Sequence, residues 1–276
     1  NVASRMESSS EVNKVNISGE THELIAPYFE CTYRGKVLAK NKGHIDMYFV
    51  NRIKPELSED GEGKKPNKDF WSYVNLHFYS KINYRKAERY LLNLLEENLP
   101  DNLYYHDISH TKDVVRAVER LAFMEGVEGE DLFLLQTAAL YHDAGFVEQY
   151  DNNEDIGVRM AKEILPQYGY TPDQIETVAR LIKVTEVPHD PQDHLEEIIC
   201  DADLDYLGRE DFHEIADQLK TELMERGKIQ SDRQWDEMQV KFLKMHKYFT
   251  KSAKNLRLEG KKKHLKEIEE RLKVRN

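Results

Sequence analysis

The sequence has almost no cysteine. Cys31 and Cys200 are the two in 276 residues, far apart in the chain and in different expected domains. That excludes a disulfide framework and fits free thiols in a reducing, cytoplasmic setting. Long apolar runs are missing too, since none approaches the roughly 18 residues that a membrane span needs. No secretory leader is visible either. The chain opens on Asn1 inside a motif, which fits a piece of a longer protein whose membrane segment, if any, lies upstream. Basic charge is scarce: 40 Lys and Arg face 51 Asp and Glu, for a net charge of −11. A nucleic-acid partner would need a basic surface to displace counterions, so that class is excluded, and an anionic membrane is disfavoured. What remains is a small-molecule enzyme in which local positive charge handles an anionic substrate.

The chain divides by composition. Residues 52–68, RIKPELSEDGEGKKPNK, carry Pro55, Gly61, Gly63 and Pro66 among charges and read as a flexible linker. Before it, YRGKVLA (33–39) and HIDMYFV (44–50) are strand-like runs around Lys40–Gly43, which suits a hairpin, and THELIAPYF (21–29) reads as a short helix. After it the apolar residues recur at three- and four-residue steps. That spacing predicts helices over 87–99, 110–125, 131–146, 153–168, 172–185, 193–206, 209–226, 232–254 and 257–273. The expected architecture is mainly α: a small α+β piece at 1–51, a linker at 52–68, and an all-helical domain over 69–276.

Three fragments of the helical part carry chemistry: YYHDISHT (104–111), LYHDAGF (140–146) and ICDADLDYLGR (199–209). His142 and Asp143 follow LLQTAAL, an apolar run that belongs in a core. Buried there, an imidazole and a carboxylate are costly unless they are paired or hold a metal. Asp201, Asp203 and Asp205 pose the same problem among Ile198, Ile199, Leu204 and Leu207. A mixed set of imidazole nitrogen and carboxylate oxygen suits Mn, Fe, Zn, Ni or Co better than Ca, with Mg a further candidate. Two histidines and two carboxylates leave coordination positions open, and a divalent ion there lowers the pKa of bound water towards about 7. Such a set is hydrolytic equipment.

The order H…HD…D resembles the HD superfamily of metal-dependent phosphohydrolases, over most of residues 84–254 and including HKYFTKSA (246–253). The resemblance implies metal ligands at His110, His142, Asp143 and Asp203, with Asp201 the alternative for the last. It implies Tyr206 and Arg209 against substrate phosphate. YHDISHT is similar to an element of cyclic-nucleotide phosphodiesterases, which makes His106 the general acid and gives Asp143 the task of orienting the attacking water. Residues 153–194 depart from the binuclear members of the superfamily, leaving His189 and His194 in a Pro-flanked loop, and a mononuclear site is expected. Lys183 and Thr185 are weaker candidates to face the substrate.

The amino-terminal piece resembles another family. NVASRMESS (1–9), VNISGETHELI (15–25) and YRGKVLAKNKGHIDMYFV (33–50) are similar to the end of a class III adenylate/guanylate cyclase catalytic domain. The resemblance implies ribose and transition-state contacts for Asn1 and Arg5, a triphosphate contact for Lys42, and a homodimer through the parent cyclase domain. The expected function is hydrolysis of a nucleotide or other phosphoester, a cyclic nucleotide being attractive beside a cyclase. The rival is a regulatory HD module without turnover, with the parent's activity that of the cyclase. The cyclase metal carboxylates precede this motif in the family, and two-metal cyclisation needs them. The chain alone is therefore expected to make no cyclic product from ATP or GTP with Mn; turnover above a heat-killed control would contradict this.

Overall fold

The computed structural model describes residues 11–12, 14–39, 43–74 and 82–274. The chain divides between residues 79 and 80 into two compact units. In the first, strands β1 (Val15–Ser18), β2 (Phe29–Ala39) and β3 (Gly43–Ile53) form an antiparallel sheet in the order β1-β3-β2. Helix α1 (Gly19–Ile25) starts at Ser18, whose hydroxyl accepts from the Thr21 amide. It stops short of the expected Phe29 because Pro27 has no N–H to donate to the Glu23 carbonyl, and Phe29 already belongs to β2. The His22 ring stacks on Tyr48 at 3.7 Å. The hairpin turn at 40–42 lies outside the described residues.

The expected linker at 52–68 is folded instead. Strand β3 runs on to Ile53, whose amide donates to the Gly63 carbonyl, and the Glu59 amide donates to that of Lys65. A 3-10 turn (Pro55–Leu57) follows, then helix α2 (Lys68–Val74). Ile53 and Leu57 pack with Tyr28 and Phe70 in a small buried cluster. The Ser58 hydroxyl accepts from the Gly63 amide, and Asn67 Oδ1 accepts from that of Phe70. Two apolar anchors and side-chain capping thus hold a polar segment that composition alone reads as loose.

The second unit holds nine helices among the described residues. They are α3 (Tyr84–Asn98), α4 (Ile108–Glu125), α5 (Gly129–Tyr141), α6 (Asn153–Ile164), α7 (Pro172–Lys183), α8 (His194–Asp203), α9 (Phe212–Glu225), α10 (Asp232–Met245) and α11 (Lys251–Val274). Helix α5 is the centre. Every residue from Leu132 to Tyr141 is buried, so it is apolar all round, as only a helix enclosed by others can be. Helices α3, α4, α7 and α8 pack on it. Each large side chain enclosed this way contributes about 1.5–3 kcal/mol. Leaving α5, the chain runs through a 3-10 turn (Ala144–Val147) in which Gly145 lies so close to Asn153 that a Cβ would strike the Asn153 carbonyl. That approach sets the start of α6 beside Asp143.

The largest departure from the expected helices is at 246–250, where one helix to residue 254 was expected. Helix α10 ends at Met245 and α11 begins at Lys251. The cause is Asp201, fully buried on α8. Its carboxylate accepts from the amides of Phe249 (2.8 Å) and Thr250 (2.7 Å) and from the Thr250 hydroxyl (2.8 Å). The same hydroxyl accepts from the Ala253 amide and caps α11. Burial pushes the Asp201 carboxyl up to about 6 despite these donors. Asp201→Ala leaves three buried donors unmatched and is expected to destabilise the fold by about 3 kcal/mol, with metal content retained. Denaturant melting beside elemental analysis checks both.

Candidate metal centre

Three elements converge on one point. His110 sits in the first turn of α4, started by Asp107, whose carboxylate accepts from the His110 amide at 2.9 Å. His142 and Asp143 end the buried helix α5, and Asp203 ends α8. The ligand atoms of His110, His142 and Asp143 lie within 4.8 Å of one another. Asp143 Oδ2 is 3.3 Å from His110 Nε2 and 3.1 Å from His142 Nε2; Asp203 Oδ1 is 3.3 and 3.4 Å from the same two nitrogens. The two Nε2 atoms are themselves 3.4 Å apart. His142 Nδ1 lies 2.8 Å from the Ala139 carbonyl, to which it donates, so the neutral ring turns a bare Nε2 lone pair to the site.

Protonation in the absence of metal follows from this crowding. Burial opposes charge on His110, yet the hydrogen bonds to Asp143 and Asp203 outweigh it and raise the imidazole to about 9. Burial also opposes charge on His142, which Asp143 and Asp203 hold well above the ordinary value. Asp143 and Asp203 move the other way: burial would raise them, but the two histidines hold both well below the usual carboxylate range. The cluster thus demands positive charge at its centre. Asp143 Oδ2 is buried, and the two nitrogens that face it stand at 3.1 and 3.3 Å without well-aligned hydrogen bonds. A divalent cation fits this donor set of two nitrogens and two oxygens.

The other expected residues scatter. Asp201 belongs to the α10–α11 turn. Asp205 is buried and paired with Arg257 and Arg120. Tyr206 lines a cavity beside the cluster, whereas the Arg209 guanidinium is engaged by Asp211 and Asp113. Lys183 pairs with Asp155 and Glu186, and Thr185 lines the same cavity as Tyr206. His189 Nε2 lies 3.8 Å from Asp203 Oδ2 and 3.1 Å from the Thr185 carbonyl, while His194 faces Glu125 and Glu197. Asn1, Arg5 and Lys42 lie outside the described residues.

His106 stands at the edge of the cluster, its Nδ1 2.6 Å from Glu222 Oε1. Glu222, whose side chain is fully buried, also accepts from the amides of Tyr105 and His106 and from the Tyr150 hydroxyl. Burial opposes its charge, but these partners, His106 first, lower it to about 2. Sequence reasoning missed Glu222. The signal was there: Phe212, Ile215, Leu219 and Glu222 recur at helical spacing, which puts a carboxylate on the apolar stripe of α9.

The cluster opens into a cavity of about 430 Å³. Phe146, Tyr206, Trp235 and Phe242 supply aromatic surface; His106, Asn153 and Gln239 supply polar groups. Asn153 donates to Asp143 Oδ1 at 3.2 Å. Gln239 Oε1 is buried without a donor.

A helical domain closed around a two-histidine, two-aspartate cluster offers a donor set that can hold a divalent cation with coordination positions left open. The HD domain family matches residues 107–205, a span that holds all four clustered residues, and the Adenylate and Guanylate cyclase catalytic domain family matches residues 1–52. The chain therefore carries an HD domain, preceded by a piece of a cyclase catalytic domain. Among solved structures, a predicted HD superfamily hydrolase from an uncultured Thermotogales bacterium is similar at 21% identity and a TM-score of 0.46, over 68% of this chain and 91% of that one. No curated protein matches. Among the described residues, no helix is long and apolar enough to cross a membrane.

If the cluster holds a cation, His142→Ala and Asp203→Ala should each lose metal and the stabilisation it gives, about 2.7 kcal/mol at a hundredfold excess over Kd. Asp205→Ala should keep its metal. Uptake must displace the proton that the carboxylates hold on His110, so affinity should rise with pH towards about 9. Elemental analysis, melting with and without chelator, and metal titration at several pH values read these outcomes.

Proposed function

We propose that the chain hydrolyses a nucleotide phosphoester, with a cyclic nucleotide the first substrate to try, using a divalent metal held by His110, His142, Asp143 and Asp203. The carrying observation is that His106, Asp143 and Asp203 line the same aromatic cavity. When bound, the cation would acidify water and offset charge on the phosphoryl group. Asp143 Oδ2 faces that centre between the two histidine nitrogens, where it can hold the cation and orient the attacking water, while Asn153 fixes the other carboxylate oxygen.

His106 has the position of a general acid. Glu222 occupies its Nδ1, so its Nε2 is left for the cavity, and the carboxylate fixes the ring in the orientation from which it can give a proton to the leaving oxygen. The cavity suits an aromatic base: it stacks flat surface on rings, and the unmatched Gln239 carbonyl oxygen can accept from an exocyclic amine or ring N–H. Phosphate charge would be met at the metal end. Arg209, already engaged by two carboxylates, is not assigned to the phosphate.

His106→Ala should lower kcat by about 10²–10⁴-fold with metal content intact, and Glu222→Gln should fall between it and the wild type. Gln239→Ala should raise KM for a nucleotide more than for p-nitrophenyl phosphate, which lacks a base. A metal-dependent screen over cyclic and linear nucleotides tests the whole reading. Full metal with no hydrolysis of any of them would leave the regulatory module in its place.

A further inference from the structure

A second cavity of about 230 Å³ adjoins the first, with Val187, Leu204 and Phe242 lining both. Its own polar wall is His246, His189 and Lys247. His246 follows α10 and is 8% exposed, its ring set between Phe242 (centroids 6.2 Å apart) and Tyr248 (4.6 Å). Behind it lies Lys261 of α11, 6% exposed. The Lys261 ammonium donates to the His246 carbonyl at 2.5 Å and to His246 Nδ1 at 3.1 Å. Among the described residues, no carboxylate pairs with Lys261, so its charge is buried against neutral acceptors.

These contacts decide the tautomer. With Nδ1 accepting from Lys261, the neutral ring carries its proton on Nε2. That Nε2 is buried and has no acceptor. Burial, then Lys261 and His189, push His246 down to about 3, so the ring is neutral at physiological pH. A buried donor without a partner is destabilising, and here it sits on a ring whose other nitrogen is held by an uncompensated ammonium. Burial lowers Lys261 from its ordinary value; an anion on the far side of the ring would offset that. Lys247 is exposed and adds a second positive charge to the lining. Two carboxylates stand behind the lining: Asp203, whose carboxylate is 3.8 Å from His189 Nε2, and Asp201, which accepts from the Phe249 amide.

We infer that this side cavity binds a small oxyanion, a phosphate or a carboxylate, through His246 Nε2–H backed by Lys261. It is separate from the site that would take the reacting phosphoryl group. His189 lines the cavity and also faces Asp203, so an occupant would sit one side chain from the metal cluster.

The test uses the full metal-loaded chain, titrated with inorganic phosphate and with acetate at millimolar concentration. The imidazole ¹H–¹⁵N resonances of His246 should shift with one or both. His246→Phe and Lys261→Met, which keep bulk and remove the donor or its charge, should weaken anion binding by about tenfold or more. His142→Ala, which would empty the metal cluster, should bind the anion as the wild type does. A shift with phosphate alone would mark a tetrahedral oxyanion site, and a shift with both a general anion site. Unmoved His246 resonances would overturn the inference even if both variants misfold, and binding lost in His142→Ala but kept in Lys261→Met would place the anion on the metal.

Discussion

Two imidazole nitrogens 3.4 Å apart, with a carboxylate oxygen on either side, form a cluster that must contain positive charge. Without it, two carboxylates sit in a helical core and repel each other. Protons can supply the charge, as the raised histidines and lowered aspartates indicate. A divalent ion can supply it too, at lower cost in crowding, because one centre replaces two N–H bonds aimed at the same oxygens. The ends of α5 and α8 and the first turn of α4 are held where this charge requires them. The core helix α5 is thus anchored by burial along its length and by electrostatics at its end.

How much of this was legible in the sequence depended on whether the constraint was local. His142 and Asp143 stood out because an apolar run leads straight into them. His110 stood out through its place in YHDISHT. The choice of Asp203 over Asp201 came from family resemblance, because both lie on one helix among apolar neighbours, and periodicity cannot say which faces α5. In the structure Asp203 faces the histidines and Asp201 faces Thr250. That second contact also explains why the break at 246–250 was hidden. Apolar spacing continues through HKYFT, and the residue that stops the helix is 48 positions away from Phe249. The folded 52–68 segment was hidden for another reason. Its composition is that of a linker, and two anchors, Ile53 and Leu57, suffice to fix it.

The two cavities differ in kind although they share walls. The larger offers rings and a few polar groups beside the cluster, a surface for a flat base attached to a charged group. The smaller offers one fixed N–H with a lysine behind it. A chain with net charge −11 repels anions at long range, so binding one requires such local, desolvated positive charge. A cation at the two-histidine, two-aspartate cluster would supply it, and Lys261 supplies it again, both within the helical unit. The first unit contributes a sheet whose cyclase resemblance rests in part on Asn1, Arg5 and Lys42, beyond the described residues.

Glu222 ties the chemistry to the fold most directly. One carboxylate accepts from the Tyr105 and His106 amides, the His106 ring and the Tyr150 hydroxyl. It thereby joins α9, the segment before α4, and the loop after α5. Hydrogen bonds to a charged group contribute about 1.5–3 kcal/mol each, which outweighs the burial of a single carboxylate, as its lowered pKa records. The same bonds aim His106 into the cavity between the cluster and the aromatic wall. Positioning His106 and closing this side of the cavity are therefore one interaction, which is why a glutamate occupies a stripe otherwise given to Phe212, Ile215 and Leu219.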